Sequence, residues 1–200
     1  MSEFSVNLSD ESEHSLNLAA HEAFDAIFTD IMFSQVNGPD DYPVGAVVLD
    51  KTGTFVLGEG VANDSRTQTP ISHAEVNAII AARLNHGEHL TKGGVIVSTL
   101  QSCASCMEKA KITGIDSLIA YVTSRQEIEE MGHVVPRSAS YGSRPIKEVR
   151  LTHPELQEKG KILYSGDTLT RDPETGIVVI KRELLQRKLA DIGLLYPILS

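Results

Sequence analysis

Two short segments of the chain contain residue types that bind metal ions and move protons. The first is Ser72-His73-Ala74-Glu75, and the second ends in Cys103-Ala104-Ser105-Cys106. One imidazole and two thiolates are ligands that Zn²⁺ accepts in tetrahedral geometry. Two cysteines at this spacing at the start of a helix can point both sulfurs at one place, where the helix dipole favours their thiolate forms. We therefore predict that His73, Cys103 and Cys106 bind one Zn²⁺ per chain.

Three protein ligands leave a tetrahedral zinc ion with an open position, which is typical of a catalytic site and not of a structural one. The chain has no third cysteine. A fourth protein ligand would therefore have to come from elsewhere, and the candidates are His14, His21, His86, His89, His133 and His153.

Glu75 lies two residues after His73. On an ideal helix this spacing turns the two side chains about 200° apart, but at the first turn both can reach a site that lies over the helix end. Glu75 is predicted to be the general acid/base, which takes a proton from water activated by zinc and passes it to a departing amine.

Each segment also has an interpretation without catalysis. Ser72 and Glu75 fit a capping box, in which the serine side chain caps the helix and the glutamate side chain accepts a hydrogen bond from the backbone N–H of the serine. Cys103 and Cys106 fit a redox pair, or two buried thiols. Because the two segments begin successive predicted helices with one strand between them, their joint occurrence favours the metal site.

The elements that must position these residues follow from the spacing of apolar side chains. Strands that alternate with helices indicate a layered α/β sheet. The predicted elements are a helix over Glu13–Phe33 with Leu18, Ala19, Ala23, Ile27, Ile31 and Met32 on its apolar face, strands over Val44–Leu49 and Phe55–Gly60, a helix from Ser72 to Asn85 with a buried stripe of Val76, Ile79, Ile80 and Leu84, a strand over Val95–Thr99, a helix over Cys103–Thr113, a strand over Ile115–Val122 and a short helix over Arg125–Met131.

The pattern becomes weaker after Gly132. Val134–Gly142 is irregular and is interpreted as a lid that carries Tyr141. We predict that Ile162–Tyr164 pairs with Ile177–Ile180, and that Arg182–Ile192 is a helix. The chain then divides into a flexible N-terminus (1–12), a core (13–132) and a C-terminal extension (133–200) of lid, hairpin and helix that packs on the core.

At these residues the chain resembles the zinc-dependent cytidine/deoxycytidylate deaminase superfamily, whose pattern is H-x-E followed by P-C-x-x-C. The resemblance also includes Pro43–Val48, Gly58-Glu59-Gly60 and His73–Ile79, and it covers roughly residues 15–125. The order and spacing are close to those of the nucleobase, guanine and tRNA adenosine deaminases. The resemblance implies a three-layer α/β/α fold with a mixed central sheet.

The resemblance assigns His73, Cys103 and Cys106 to zinc and makes Glu75 the proton shuttle. It implies two contacts with the substrate. Asn63, in the loop after the second strand, corresponds to the asparagine that touches the substrate in the family. The backbone at Ala74 is expected to contact the edge of the substrate ring.

The chain departs from the family pattern on both sides of the cysteines. Gln101-Ser102 stands where the family has Glu-Pro, and Met107-Glu108-Lys109 stands where small residues are usual. Proline is pre-organised for a first helical turn, so its loss affects rigidity more than chemistry. We expect Ser102 to cap the helix instead, and we include it among the substrate-binding residues.

These residues together predict a hydrolytic deaminase that acts on a cyclic amidine and releases ammonia. The expected substrate is a small molecule: a free nucleobase, nucleoside or nucleotide of the guanine, cytosine or cytidine/deoxycytidylate type. Two alternatives stay open, namely a tRNA adenosine deaminase and a catalytically silent zinc-binding homologue that acts as an interaction module.

Composition narrows the class of partner and compartment. The 200 residues fit one domain, with or without an extension. The net charge of −9 disfavours a nucleic-acid partner, because such a protein must neutralise phosphates. No apolar run reaches the roughly 18 residues of a membrane helix, and the acidic start does not read as a secretory signal. Two cysteines and no signal predict the cytoplasm, and the resemblance makes a homo-oligomer plausible.

Overall fold

Five strands form one mixed sheet in the computed structural model, which describes residues 10–33, 41–131 and 146–193 apart from residues 173 and 176. Strand β1 is antiparallel to both of its neighbours, and β3, β4 and β5 are parallel to one another. The order across the sheet is β2-β1-β3-β4-β5. The strands are β1 (Gly45–Leu49), β2 (Val56–Val61), β3 (Val95–Leu100), β4 (Leu118–Thr123) and β5 (Glu148–Arg150).

Helices cover both faces of this sheet. Every residue of β1 and β3 is buried, which requires a layer on each side. Because strand side chains alternate, Val47 and Val97 join one apolar cluster, and Ala46 and Ile96 join the other. The first cluster contains α1 (Asp10–Phe33), α5 (Arg125–Glu130), α6 (Pro154–Leu163) and α7 (Arg182–Asp191), and the second contains α3 (Ala74–Thr91) and α4 (Ala104–Ile112). The three-layer α/β/α prediction is confirmed.

Helix α3 lies unusually close to the sheet because two glycines of β2 leave room for it. A Cβ atom at Gly58 would collide with the backbone of Ala82, and one at Gly60 would collide with the backbone of Ala78. The Gly58-Glu59-Gly60 sequence therefore sets the distance between α3 and β2. That distance also sets where the N-terminus of α3 lies.

The same close approach overturns part of the predicted buried stripe of α3, in which Ile79 is buried as predicted. Ile80 is 51% exposed and Leu84 is 81% exposed, whereas the small residues Ala78 and Ala82 are fully buried. Small side chains lie opposite the two glycines because there is no space there for larger ones. The helical span reaches Thr91, but Gly87 interrupts it with a non-helical backbone (φ 75°, ψ 171°). The regular part of the helix therefore ends close to the predicted end at Asn85.

Helix α1 begins at Asp10, three residues before the predicted start at Glu13. Its first three residues therefore fall within the segment that was predicted to be flexible. Ala19, Ala23, Ile27 and Ile31 are buried as predicted, but Leu18 is exposed.

The C-terminal part differs most from the prediction. The predicted strand over Ile162–Tyr164 is wrong, because these residues end α6. The hairpin partner of β7 (Val178–Ile180) is β6 (Leu169–Arg171). A short apolar run suits a buried helix as well as a strand. Strand β5 was not predicted either, and it joins the central sheet beside β4.

Two predicted helices agree with the structure, since α5 and α7 lie within Arg125–Met131 and Arg182–Ile192. The predicted lid, Val134–Gly142 with Tyr141, lies outside the described residues.

Candidate active site

The sheet brings the starts of α3 and α4 to one edge. Val61 at the end of β2 and Ser98 near the end of β3 flank the first two residues of β1. The segments that leave β2 and β3 at this edge lead into α3 and α4, whose N-caps are His73 and Cys103. Sheet topology therefore joins two segments that lie 30 residues apart in the sequence.

The three predicted ligand atoms form a small triangle. His73 Nδ1 lies 3.2 Å from Cys106 Sγ and 3.5 Å from Cys103 Sγ, and the two sulfurs are 3.3 Å apart. Ligands at tetrahedral zinc distances stand about 3.5–3.8 Å from one another. The donor set and its size therefore fit zinc. Within residues 10–33, 41–131 and 146–193, no fourth histidine, cysteine or carboxylate belongs to this group.

Two of the other histidines belong to a separate cluster. His21 and His153 lie with Glu155 where α1 meets α6, so neither is a fourth ligand of the triangle. Lys159 Nζ is 3.0 Å from His21 Nδ1, which places a cation against this second group. His133 lies outside the described residues.

Cys103 caps α4 with its own sulfur. Its Sγ accepts a hydrogen bond from the backbone N–H of Cys106 at 3.4 Å, and Ser105 Oγ lies 2.9 Å from the same sulfur. The prediction that Ser102 caps this helix is therefore wrong. Ser102 is 4% exposed, and its hydroxyl has no hydrogen-bond partner among the described residues.

The protein electrostatics favour the metal-binding, deprotonated form of only one of the three predicted ligands. A hydrogen bond from Cys106 lowers the pKa of Cys103 to about 3, helped by contacts with His73 and Ser105. The hydrogen bond to Cys103 in turn raises the pKa of His73 to about 9. Pairing with Cys103 and burial raise the pKa of Cys106 above its usual range. A metal ion must then displace protons from His73 and Cys106.

A second carboxylate lies behind the imidazole ligand. Asp64 Oδ2 is 3.6 Å from His73 Nε2, on the opposite side of the ring from the sulfurs. Burial raises the pKa of Asp64, and the charge of His73 opposes this rise. A carboxylate at the outer nitrogen of a ligand histidine fixes the orientation of the ring. No pattern in the sequence singled out Asp64, because its distance from His73 in the chain is set by a loop.

The short helix α2 (Asp64–Thr67) that carries Asp64 is itself fastened to α1. Arg66 makes two hydrogen bonds to the Asp30 carboxylate, at 2.7 and 2.9 Å, and one to Asp41 at 3.2 Å. The bidentate geometry holds α2 in one position. These contacts therefore determine where Asp64 stands.

Glu75 lies beside the triangle without belonging to it. The residue is in the first turn of α3 and is 4% exposed. Its carboxylate forms a side-chain hydrogen bond with Cys106 and interacts with the charge of His73. The structure therefore brings Glu75 together with the three predicted ligands, as a buried carboxylate next to them.

The alternative capping box is wrong. His73 is the N-cap of α3, and no side chain caps it. The Ser72 hydroxyl is hydrogen-bonded to Asn63 Oδ1. The Ser72-His73-Ala74-Glu75 segment thus directs its polar side chains towards the site and its surrounding loop.

Asn63 and Ala74, two of the three predicted substrate contacts, lie next to His73 in the loop and helix start that carry it. The backbone N–H of Asn63 donates to the carbonyl of Ser72 at 3.0 Å, which ties the loop after β2 to the residue before His73. Ala74 is fully buried as the first residue of α3, where backbone N–H groups have no partner within the helix.

Tyr164, at the end of α6, contacts the strand ends that carry the site, and the sequence did not predict this role. Its hydroxyl donates to the carbonyl of Pro43 at 2.8 Å and lies 3.1 Å from Thr99 Oγ1. Thr99 also accepts a hydrogen bond from the backbone of Gly45 at 3.2 Å. The C-terminal part of the chain therefore holds the ends of β1 and β3 in register beneath the two helix starts.

The fold is a single mixed sheet between two layers of helices. At two helix starts it holds a His-Cys-Cys triangle with a buried carboxylate beside it. This combination defines a zinc-binding protein of the deaminase class. The profile of the cytidine and deoxycytidylate deaminase zinc-binding region matches residues 21–122, slightly more than half of the 200 residues. The chain belongs to this family of zinc-dependent deaminases.

Solved structures share the fold at low sequence identity. Guanine deaminase from Nitrosomonas europaea is 15% identical, with 80% of this chain and 85% of that chain covered and a TM-score of 0.54. A variant of the protein NE0047 in complex with 8-azaguanine is 14% identical, with 80% and 94% covered and a TM-score of 0.57. A tRNA:A34 deaminase is 19% identical, with 75% and 98% covered and a TM-score of 0.50.

No curated protein sequence matches the chain significantly. Among the helices of the described residues, none combines the length and the apolar character that a membrane span requires.

Proposed function

We propose that the chain binds one Zn²⁺ and hydrolytically deaminates a small cyclic amidine, namely a free nucleobase, nucleoside or nucleotide. The observation that carries this proposal is the buried Glu75 carboxylate next to the triangle of His73, Cys103 and Cys106. When bound, zinc supplies a Lewis acid that makes water nucleophilic at neutral pH. A structural zinc site would not need an adjacent buried acid.

Glu75 is the proton carrier in this proposal. It takes a proton from the attacking water while oxygen bonds to the ring carbon that carries the amine. It then gives a proton to that amine as the carbon–nitrogen bond breaks. One water is consumed and one ammonia is released, so the amidine becomes a cyclic amide. Burial of Glu75 keeps bulk water from exchanging these protons.

The substrate contacts proposed are Asn63, the backbone at Ala74, and Ser102. The case for Ser102 is its buried hydroxyl immediately before Cys103, which lacks a hydrogen-bond partner among the described residues. An unsatisfied buried hydroxyl costs about 1–3 kcal/mol. A substrate atom or an ordered water at the site would remove that cost.

A small substrate is favoured over tRNA by the charge of the chain. The net charge of −9 opposes a polyanion. The likeness to a tRNA:A34 deaminase, with a TM-score of 0.50, supports the second candidate through the fold alone. We also infer a cytoplasmic location, because metal-binding thiols stay reduced there. Self-association remains a prediction, which light scattering on the purified chain measures.

The test is ammonia release by the zinc-loaded chain. The panel contains guanine, cytosine, cytidine, deoxycytidylate and a tRNA with a wobble adenosine, and Glu75→Gln is the control protein. Turnover of one small member, lost in the control, supports the proposal. Turnover of tRNA alone selects the second candidate. If no member of the panel releases ammonia although one zinc is bound per chain, the result favours a catalytically silent interaction module.

A further inference from the structure

A hydrogen-bond network beneath Asn63 determines which end of its amide faces outwards. Asn77, on α3, extends its Nδ2 to the carbonyl of Val61 at 2.7 Å and to the carbonyl of Ser72 at 3.1 Å. The same nitrogen is 3.0 Å from Asn63 Oδ1. Backbone carbonyls only accept hydrogen bonds, so the Asn77 atom between them must be the amide nitrogen.

This chemistry fixes the orientation of Asn63 as well. The Asn63 atom next to the Asn77 nitrogen has to be an acceptor, which makes it Oδ1. The Ser72 hydroxyl contacts the same oxygen. If the Asn63 amide were flipped, its NH₂ group would face the NH₂ group of Asn77, and two donors cannot form a hydrogen bond with each other. Asn63 Nδ2 is thereby left outside the network, because the side-chain hydrogen bonds of Asn63 to the described residues Ser72 and Asn77 both engage Oδ1.

The network is directly attached to the metal-binding segment. Ser72 precedes His73, and the backbone N–H of Asn77 donates to the carbonyl of His73 at 2.9 Å. The residue after Asn63 is Asp64, which contacts the His73 ring. Asn63 is therefore connected to His73 on two sides, through Ser72 and through Asp64, and its NH₂ group is the part of its side chain that the network does not use.

We propose that Asn77 is a positioning residue that holds Asn63 with its amide donor towards the substrate. The inference rests on the proposed function and adds a selection rule. The substrate must offer a hydrogen-bond acceptor, either a carbonyl oxygen or an unprotonated ring nitrogen, where it meets Asn63. Heterocycles with a C–H or N–H group at that position are rejected.

A double-mutant cycle tests this role. The proteins are wild type, Asn63→Ala, Asn77→Ala and the double variant, all zinc-loaded and measured with the best base of the panel for kcat, KM and, by calorimetry, Kd. One oriented hydrogen bond corresponds to about a tenfold change in binding. Asn77→Ala should raise KM and Kd about tenfold with little change in kcat, and should add nothing in the Asn63→Ala background.

Two further variants separate positioning from folding. Asn63→Asp keeps an acceptor for Ser72 and Asn77 but has no donor, so it should match Asn63→Ala in KM while it keeps the wild-type melting temperature. Asn85→Ala removes the same side chain from an exposed position of α3 and should change nothing. A deaza analogue has a C–H group in place of one ring nitrogen of the base. If that nitrogen accepts the Asn63 hydrogen bond, the analogue should have a higher Kd than the base in wild type and the same Kd as the base in Asn63→Ala.

The outcomes distinguish this inference from the proposed function. If wild type turns over a base, but Asn77→Ala raises KM by the same factor in the wild-type and Asn63→Ala backgrounds, the positioning role alone is overturned. Full activity of Asn63→Asp also overturns it. A wild type that neither binds nor deaminates any base refutes the proposed function, and the selection rule with it.

Discussion

Replacing Glu75 by glutamine gives the sharpest test of the chemistry. Glutamine has almost the same shape as glutamate and can keep the contact with the Cys106 sulfur, but it cannot accept a proton. Because Glu75 is in hydrogen-bond contact with a ligand but is not part of the triangle, Glu75→Gln should retain the metal.

The expected loss of activity follows from the number of proton transfers. A positioned acid or base contributes about 10²–10⁴-fold to a rate. One buried carboxylate would serve both the attack of water and the departure of the amine, so the upper end applies. We expect kcat to fall about 10⁴-fold, which corresponds to about 5 kcal/mol in the activation barrier.

The assay pairs ammonia release with metal analysis on the same samples. Glu88→Gln makes the same substitution at an exposed position of α3, where the side chain forms a surface ion pair with Arg83, and should be active like wild type. If Glu75→Gln keeps more than about a tenth of the activity, Glu75 is not the proton carrier. If it loses the metal, Glu75 contributes to binding the ion and the proposed ligand set is incomplete.

Three other perturbations address the metal site and stability. Cys103→Ala should lose zinc and lower the melting temperature, because metal binding is coupled to folding; a variant with stoichiometric zinc would contradict the ligand set. Asp64→Asn should weaken zinc binding about 10–100-fold in a chelator competition, since it removes the carboxylate behind the ligand imidazole; unchanged affinity would show that Asp64 is dispensable. Burial and Lys159 lower the pKa of His21, so the unfolded chain binds its proton first and stability should decrease as pH falls below about 6.5. Chemical unfolding between pH 7 and 5 should show a shallower decrease in His21→Gln than in wild type, while the exposed control His86→Gln should follow wild type.

Local sequence patterns were sufficient for much of the architecture. The apolar runs of β1 and β3 and the periodicity of α1 predicted buried elements because each pattern is contained within a few turns or residues. The pairing of Cys103 with Cys106 is also a local pattern, because two side chains three residues apart at a helix start can point to one place. His73 could be added because its segment begins the preceding helix. The family resemblance supplied the mixed sheet.

Other features depend on contacts between distant segments. Strand β5 has three residues and no alternating apolar pattern, so only its partner β4 makes it a strand. Periodicity predicted that Ile80 and Leu84 are buried, but the positions of α3 opposite Gly58 and Gly60 have space only for the alanines Ala78 and Ala82.

The environment of the site was likewise decided by tertiary structure. Asp64 reaches His73 because Arg66 fastens its helix to α1. The orientation of Asn63 depends on Asn77, which is 14 residues away in the chain. The residue types that can bind zinc and carry a proton are properties of the sequence alone. Their distances and their hydrogen-bonded orientation arise when the sheet brings separate loops to one edge, because short-range spacing contains no information about which loops will meet.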